Sequence, residues 1–126
     1  AMLAFAQAKL DVTAPGSDLI DTRAYEKLMQ DVKSGTYIGL EVVAGQRCHH
    51  LAFKGAEVDW QLWVRAGKHP LPCRYVITSK NIAGAPQFTM QVLAADTNPK
   101  TPAAMFRFVP PAGAKAVEFL PPTAAR

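Results

Sequence analysis

Residues 45–64 read GQRCHHLAFKGAEVDWQLWV, and this stretch decides the fold. Apolar and polar side chains alternate on both sides of Gly55-Ala56, which predicts a β-hairpin with a two-residue turn there. The cross-strand pairs that follow are Phe53 with Val58, Leu51 with Trp60, His49 with Leu62 and Arg47 with Val64 on one face, and Ala52 with Asp59, His50 with Gln61 and Cys48 with Trp63 on the other. An apolar face opposite a polar one is typical of an antiparallel sheet that is covered on one side.

The faces of this hairpin predict which side chains are buried. We expect the apolar face to be covered by helices and the polar face to meet solvent. The residues predicted to be covered are Phe53, Val58, Trp60 and Leu62, and those predicted to be solvated are Asp59 and Gln61. Trp63 falls on the outer face, so it packs under a loop such as 66–72 or marks a contact surface.

Length and composition indicate one globular domain. The chain has 126 residues, of which 49% are hydrophobic and 19% charged. Its net charge of +4 is scattered without a basic stripe, which argues against a nucleic-acid partner. No segment is long enough for a membrane-spanning helix, and residues 2–10 are too short and too soon charged for a secretory signal.

The order of elements predicts an α+β fold. Residues 1–34 have helical periodicity, with a first helix around Leu3–Leu10 and a second that Asp21 or Thr22 caps and Gly35 ends. From residue 35 onward the period is two, which predicts a curved antiparallel sheet of about six or seven strands. The predicted strands are 37–43, 46–54, 57–65, 73–80, 87–95, 105–109 and 116–120, with a turn at Ala44-Gly45. The two N-terminal helices, a helical lid, are expected to pack on one face of this sheet, all within a single domain spanning 1–126.

The two cysteines are predicted to be free thiols. If strands 46–54, 57–65 and 73–80 form a meander, Cys48 and Cys73 flank the middle strand. Two strand spacings separate them by about 9–10 Å in a flat sheet. That distance exceeds the Cα separation that a disulfide can bridge.

No set of side chains converges on catalysis or metal binding. His49 and His50 are adjacent on a strand and therefore point to opposite faces, so they do not share a metal. Cys48 and Asp59 share the face of His50, but their spacing does not show that three ligands can meet. We expect His50 to be solvated and His49 to pack against Leu62. The sequence thus predicts a protein that is not an enzyme and holds no metal or cofactor.

Several separated motifs carry a family resemblance. They are the segments 45–53, 58–63, 70–72, 108–114 and 118–122. Together they resemble a bacterial family of predicted periplasmic proteins of unknown function, whose members are typically longer. The resemblance implies a periplasmic location and implies that this chain is the C-terminal half of such a protein. Cys73 departs from the family pattern, in which a basic residue is more usual.

That family is similar in plan to the outer-membrane lipoprotein carrier LolA, an unclosed barrel with an apolar concave face. The similarity implies non-covalent binding of an apolar ligand, a lipid or an acylated lipoprotein. We expect the ligand to contact Phe53, Trp60, Leu62, Phe88 and Met90. The alternative is a cell-envelope interaction or scaffold module with no small-molecule ligand. Half a barrel also leaves an open strand edge and an apolar face, which predicts a homodimer.

Overall fold

The computed structural model describes residues 14–117, which fall into two compact units. Residues 14–95 hold one five-stranded antiparallel sheet in the order β1-β2-β3-β4-β5. The strands are β1 Val32–Val43, β2 Gln46–Gly55, β3 Val58–Arg65, β4 Pro72–Ser79 and β5 Gln87–Gln91. A 3-10 helix at Ser17–Ile20 and the helix α1 at Ala24–Met29 precede the sheet. Residues 96–117 hold a 3-10 helix at Ala103–Phe106.

The predicted fold of two helices and six or seven strands is wrong. The first predicted helix lies outside the described residues, and the second shrinks to the six residues of α1. Its last part belongs to β1, where Val32 pairs with Gly55 and Ser34 with Lys54. Gly35 does not end a helix but lies under the Phe53 ring, since a Cβ there would be 2.9 Å from a ring carbon. Cross-strand pairing has therefore overridden helical periodicity.

The sheet also ends earlier than predicted. β5 stops at Gln91, short of the predicted end at residue 95, and the second 3-10 helix at Ala103–Phe106 includes the start of the predicted strand 105–109. Residues 107–110 have no regular secondary structure, and two prolines follow Val109 directly. The predicted strand at 116–120 extends beyond the described residues. Proline-rich chain supplies few backbone donors for a further ladder, which explains why the predicted strand 105–109 does not form.

The hairpins keep the predicted faces, but one has a different register. At Ala44-Gly45 both residues have positive φ, 47° and 77°, as a tight two-residue turn of mirror-image type requires. Between β2 and β3 the pairs are shifted by two residues, so that Phe53 faces Trp60 and His50 faces Trp63. A shift of two leaves every side chain on its predicted face, because the strand period is two.

One face of the sheet, the aromatic face, carries two cross-strand ladders of mostly apolar side chains. Each ladder crosses all five strands in register. They are Gly35, Phe53, Trp60, Ile77 and Phe88, and Tyr37, Leu51, Leu62, Tyr75 and Met90. Trp60 and Tyr75 are buried at the centre of this face, where the Trp60 ring stacks on Phe53 at 4.0 Å and meets Tyr75 edge-on at 5.9 Å. Trp60 is thus the core anchor that the sequence predicts.

The opposite, polar face was predicted to meet solvent, but part of it is buried. It carries Cys48, Trp63 and Val76, which join Val43 and Cys73 in a buried cluster. Trp63 is 6% exposed, so it is a core residue rather than an outer contact. Gln61 and Asp59 are only partly exposed.

Cys48 and Cys73 form a disulfide, so the prediction of free thiols is wrong. The meander order is as predicted, but Trp63 pairs with Arg74 and Val64 with Pro72, which leaves Cys73 as an extra residue in β4. Such a bulge bends its strand and increases the local twist. The Cα atoms of the two cysteines are consequently 6.9 Å apart, less than the roughly 9–10 Å of a flat sheet. β2 and β4 thus approach each other at the end of β3 more closely than they would in a flat sheet.

Loss of the disulfide should destabilise the fold by about 3 kcal/mol, because the bond closes a loop with a sequence separation of 25. Urea unfolding with and without reductant measures this change. The double variant Cys48→Ala/Cys73→Ala is the control and should be insensitive to reductant. Two titratable thiols in the unreduced, denatured protein would contradict the disulfide.

Trp60→Ala should cost about 3–5 kcal/mol, since it removes a buried ring that contacts both Phe53 and Tyr75. Val42→Ala is the matched control on the exposed edge strand, where we expect a change within about 0.5 kcal/mol. Urea unfolding at neutral pH measures both. Equal, small effects of the two substitutions would contradict the placement of Trp60 in the core.

Candidate functional site

The five residues predicted to bind a ligand all lie on the aromatic face. The structure brings Phe53 and Trp60 into direct stacking contact. Leu62 and Met90 both pair with Tyr75, one on each side of β4, and Phe88 pairs with Ile77. The predicted set therefore forms one continuous surface across β2 to β5, with Tyr75 and Ile77 as members that the prediction omitted.

The chain before the first 3-10 helix covers part of this surface. Gly16 is buried, and a Cβ on it would lie 3.5 Å from both Met90 Sδ and a Phe88 ring carbon. Its φ of +81° is one that glycine adopts without strain. Burial raises the pKa of Tyr75 to about 12, with the Asp18 carboxylate as a smaller cause. Among the described residues, the cover over β4 and β5 is thus a turn of chain, while the first helix of the predicted lid lies outside them.

The aromatic face is open at β1. Tyr37 is 57% exposed, Leu40 41% and Val42 71%, and all three belong to this face. β1 is an edge strand of the described sheet. Its register shifts next to Ile38, an extra residue that is also largely exposed. An apolar surface thus runs from the buried centre of the sheet out to solvent along one edge.

The polar face holds a compact hydrogen-bonded cluster around His50, the polar cluster, formed by Glu41, His50, Gln61 and Trp63. His50 Nδ1 lies 2.8 Å from Glu41 Oε1, and Nε2 lies 2.8 Å from Gln61 Oε1. Trp63 Nε1 donates to Glu41 Oε2 at 2.8 Å, and the His50 ring stacks on the indole at 3.9 Å. Both carboxylate oxygens of Glu41 are therefore committed within the cluster.

These contacts fix the charge state of Glu41. The Trp63 indole N–H and then His50 hold the pKa of the Glu41 carboxyl below its ordinary value of 4.5, against a smaller opposing effect of desolvation. Hydrogen bonds to the ionised form favour that form. Glu41 is thus a structural anion that orients the His50 and Trp63 rings.

Two expectations for the histidines are wrong. His50 was predicted to be solvated, yet it is 8% exposed because the shifted register places it against Trp63. His49 was predicted to pack against Leu62, but it faces Val64, and its Nδ1 lies 3.0 Å from the Tyr37 hydroxyl.

The candidate zinc ligands do not meet. Cys48 is committed to the disulfide, and Asp59 forms an ion pair with Lys80 at 2.8 Å. Within residues 14–117, no group of three or more His, Cys, Asp or Glu side chains is placed to hold a metal ion. Cys48, His50 and Asp59 thus take part in three separate structural interactions.

Sequence reasoning missed Glu41, although a signal for it was present. The predicted turn at Ala44-Gly45 puts Val43 opposite Gln46, and the same register puts Glu41 opposite Cys48. Continuing this register along the hairpin would have placed the Glu41 carboxylate opposite Cys48, which is a nearest neighbour of His50 on the same face of β2. Arg74 was missed as well, because its position beside Trp63 follows from the register between β3 and β4, which the sequence analysis did not assign.

With the geometry established, the family can be assigned. The family described as predicted periplasmic protein (DUF2092) matches residues 1–120. This chain belongs to that family. The expected periplasmic location is confirmed by this membership, and a disulfide suits an oxidising compartment of that kind. Neither a curated protein nor a solved structure matches the chain, so the expected similarity to the lipoprotein carrier has no support from a known structure. No helix within residues 14–117 is long and apolar enough to cross a membrane.

Glu41→Gln should destabilise the protein in a pH-dependent way. A carboxyl with a lowered folded-state pKa stabilises the fold above its ordinary value of 4.5 and loses that contribution as the pH falls through the lowered value. The difference in unfolding free energy between wild type and variant should thus be present near neutral pH and shrink below pH 4.5. Urea titrations across that range measure it.

Glu57→Gln is the control, because the exposed Glu57 carboxylate makes no hydrogen bond among the described residues. The same pH dependence in both variants would contradict a special role for the polar cluster.

Proposed function

We propose that this protein is a non-catalytic periplasmic module that binds an apolar ligand, a lipid or the acyl chain of a lipoprotein, on its aromatic face. The observation that carries the proposal is the apolar surface along β1. The exposed side chains there are Tyr37, Leu40 and Val42. They lie next to the cross-strand ladders whose central members, Trp60 and Tyr75, are buried.

Single exposed apolar side chains are common on protein surfaces. A connected strip that continues a buried core is less common, and strips of this kind typically bind a ligand or a partner. Burial of apolar area contributes about 25 cal/mol per Å², or about 0.8 kcal/mol for each buried methylene of an acyl chain. An extended chain lying along the 12-residue strand β1 would meet several of these side chains in succession. Rings such as Tyr37 and Phe53 add contact area at little cost in side-chain entropy.

The disposition of polar groups favours binding over catalysis on this face. The titratable residues paired with its open part are Arg47, opposite Val42, and Tyr37 and His49, which bond each other at 3.0 Å. Glu41, which could act as a base, lies on the opposite face and is committed to Trp63 and His50.

A second candidate is a cell-envelope interaction module that acts through the edge of β1. Edge strands present unpaired backbone groups, and β1 adds an exposed apolar row to that edge. A homodimer joined at this edge would bury more than about 1,000 Å² in total if it is specific. Sedimentation at micromolar concentration separates this candidate from a monomeric lipid binder.

The experiment is binding of a fluorescent fatty acid to the wild type and to Leu40→Glu/Val42→Glu. We expect saturable binding to the wild type and a loss of about tenfold or more in affinity in the variant, because a carboxylate in the strip must be desolvated by the ligand. Lipid extracted from the purified protein and identified by mass spectrometry gives the natural ligand.

The control is Thr36→Glu, which adds one carboxylate, against two in the double variant, at an exposed position on the opposite face of the same strand. Its affinity should stay within about twofold of the wild type. An equal loss in the control, or a wild type that binds neither fatty acid nor extracted lipid, would contradict the proposal.

A further inference from the structure

The polar face carries a cation whose charge no other described residue pairs. Arg74 is partly buried on β4, and its guanidinium carbon lies 5.6 Å from the centre of the Trp63 ring. Its Nε is buried and has no hydrogen-bond partner among residues 14–117. A buried donor of a charged group that stays unsatisfied destabilises the fold, so such a group calls for an explanation.

The nearby carboxylate does not provide one. Glu41 is close enough for the charge of Arg74 to favour its ionised form, but its two oxygens bond His50 and Trp63. The ion pairs of the described chain involve Lys27, Lys80 and His50 as the basic partners. Within residues 14–117 Arg74 therefore lacks an anionic oxygen of its own.

We propose that Arg74 binds an oxyanion, a carboxylate or phosphate group, on the polar face beside Trp63. Guanidinium presents parallel N–H groups in a fixed fork, which matches the oxygens of these anions and explains why arginine serves such sites. The cation–π contact with Trp63 holds the group against a rigid, buried ring. Preorganisation of this kind lowers the entropy cost of binding.

The surroundings fit a small polar ligand. Gln91 is the cross-strand partner of Arg74 and is exposed, so its amide can donate to a bound oxygen. Thr89, one pair further along β5, lies on the same face and is also exposed. The site lies opposite the aromatic face, so it stands or falls independently of the apolar-ligand proposal.

The primary test follows the Nε–H resonance of Arg74 by NMR during titration with inorganic phosphate, with sodium chloride of equal ionic strength as the reference. We expect a saturable shift with phosphate and a smaller, unsaturated one with chloride. The wild-type measurement needs no variant to fold, and identical responses to the two salts would overturn the proposal.

Arg74→Lys keeps the charge but removes the planar fork, so phosphate affinity should fall by about tenfold. Arg65→Gln is the matched control, because Arg65 is on the same face but its Nε already donates to Gln46 at 2.8 Å. Thermal unfolding with and without phosphate shows that each variant is folded and gives binding a second readout. If Arg65→Gln lowered the phosphate affinity as much as Arg74→Lys does, the effect would come from the overall positive charge of this face, and the assignment to Arg74 would be overturned.

The source of the oxyanion is settled by two further arms. One arm uses phosphatidylcholine vesicles with and without phosphatidic acid, and the other uses acetate. Vesicle binding that needs both phosphatidic acid and Arg74 identifies a lipid headgroup, and response to soluble anions alone identifies a free oxyanion. Either result supports the site, whereas no response of Arg74 in any arm overturns it.

Discussion

The bend of the sheet at Cys73 is the constraint on which the rest of the structure depends. One extra residue in β4 brings Cys73 to Cys48, and the disulfide fixes β2 and β4 together across the end of β3. The tie buries Trp63 between the strands that carry His50 and Arg74. Without it, the polar face of a flat sheet would lie open to water, and the polar cluster would lose much of the desolvation that strengthens its hydrogen bonds.

The two faces use the same strands for different purposes. On the aromatic face, in-register ladders build a core around Trp60 and Tyr75 and leave an apolar strip along β1. On the polar face, each charged or aromatic group is oriented by another: Glu41 by His50 and Trp63, and Arg74 by Trp63. Because successive residues of a strand alternate between faces, neighbours such as His49 and His50 serve unrelated surroundings.

Much of the site chemistry follows from the hairpin alone. The alternation in residues 45–64 placed Phe53, Trp60 and Leu62 on one face, and they lie there. It failed for the register, because the connection between β2 and β3 is Ala56-Glu57, one residue beyond the predicted turn at Gly55-Ala56, and His50 therefore pairs with Trp63 instead of Gln61. Alternation of apolar and polar residues specifies which face a side chain occupies, because the strand period is two. A register shift of two residues leaves that face unchanged but changes every cross-strand pair.

The sequence by itself determined the strands of the central meander, the turn at Ala44-Gly45, the burial of Trp60 and the family. These depend on local alternation, turn chemistry and recognisable motifs. Only the tertiary structure decided that Val32 to Gly35 join β1, that Cys48 reaches Cys73, and that Glu41 and Arg74 flank Trp63. Each of these depends on contacts between strands distant in sequence, and a single bulge in β4 changes the distances that a flat sheet would impose.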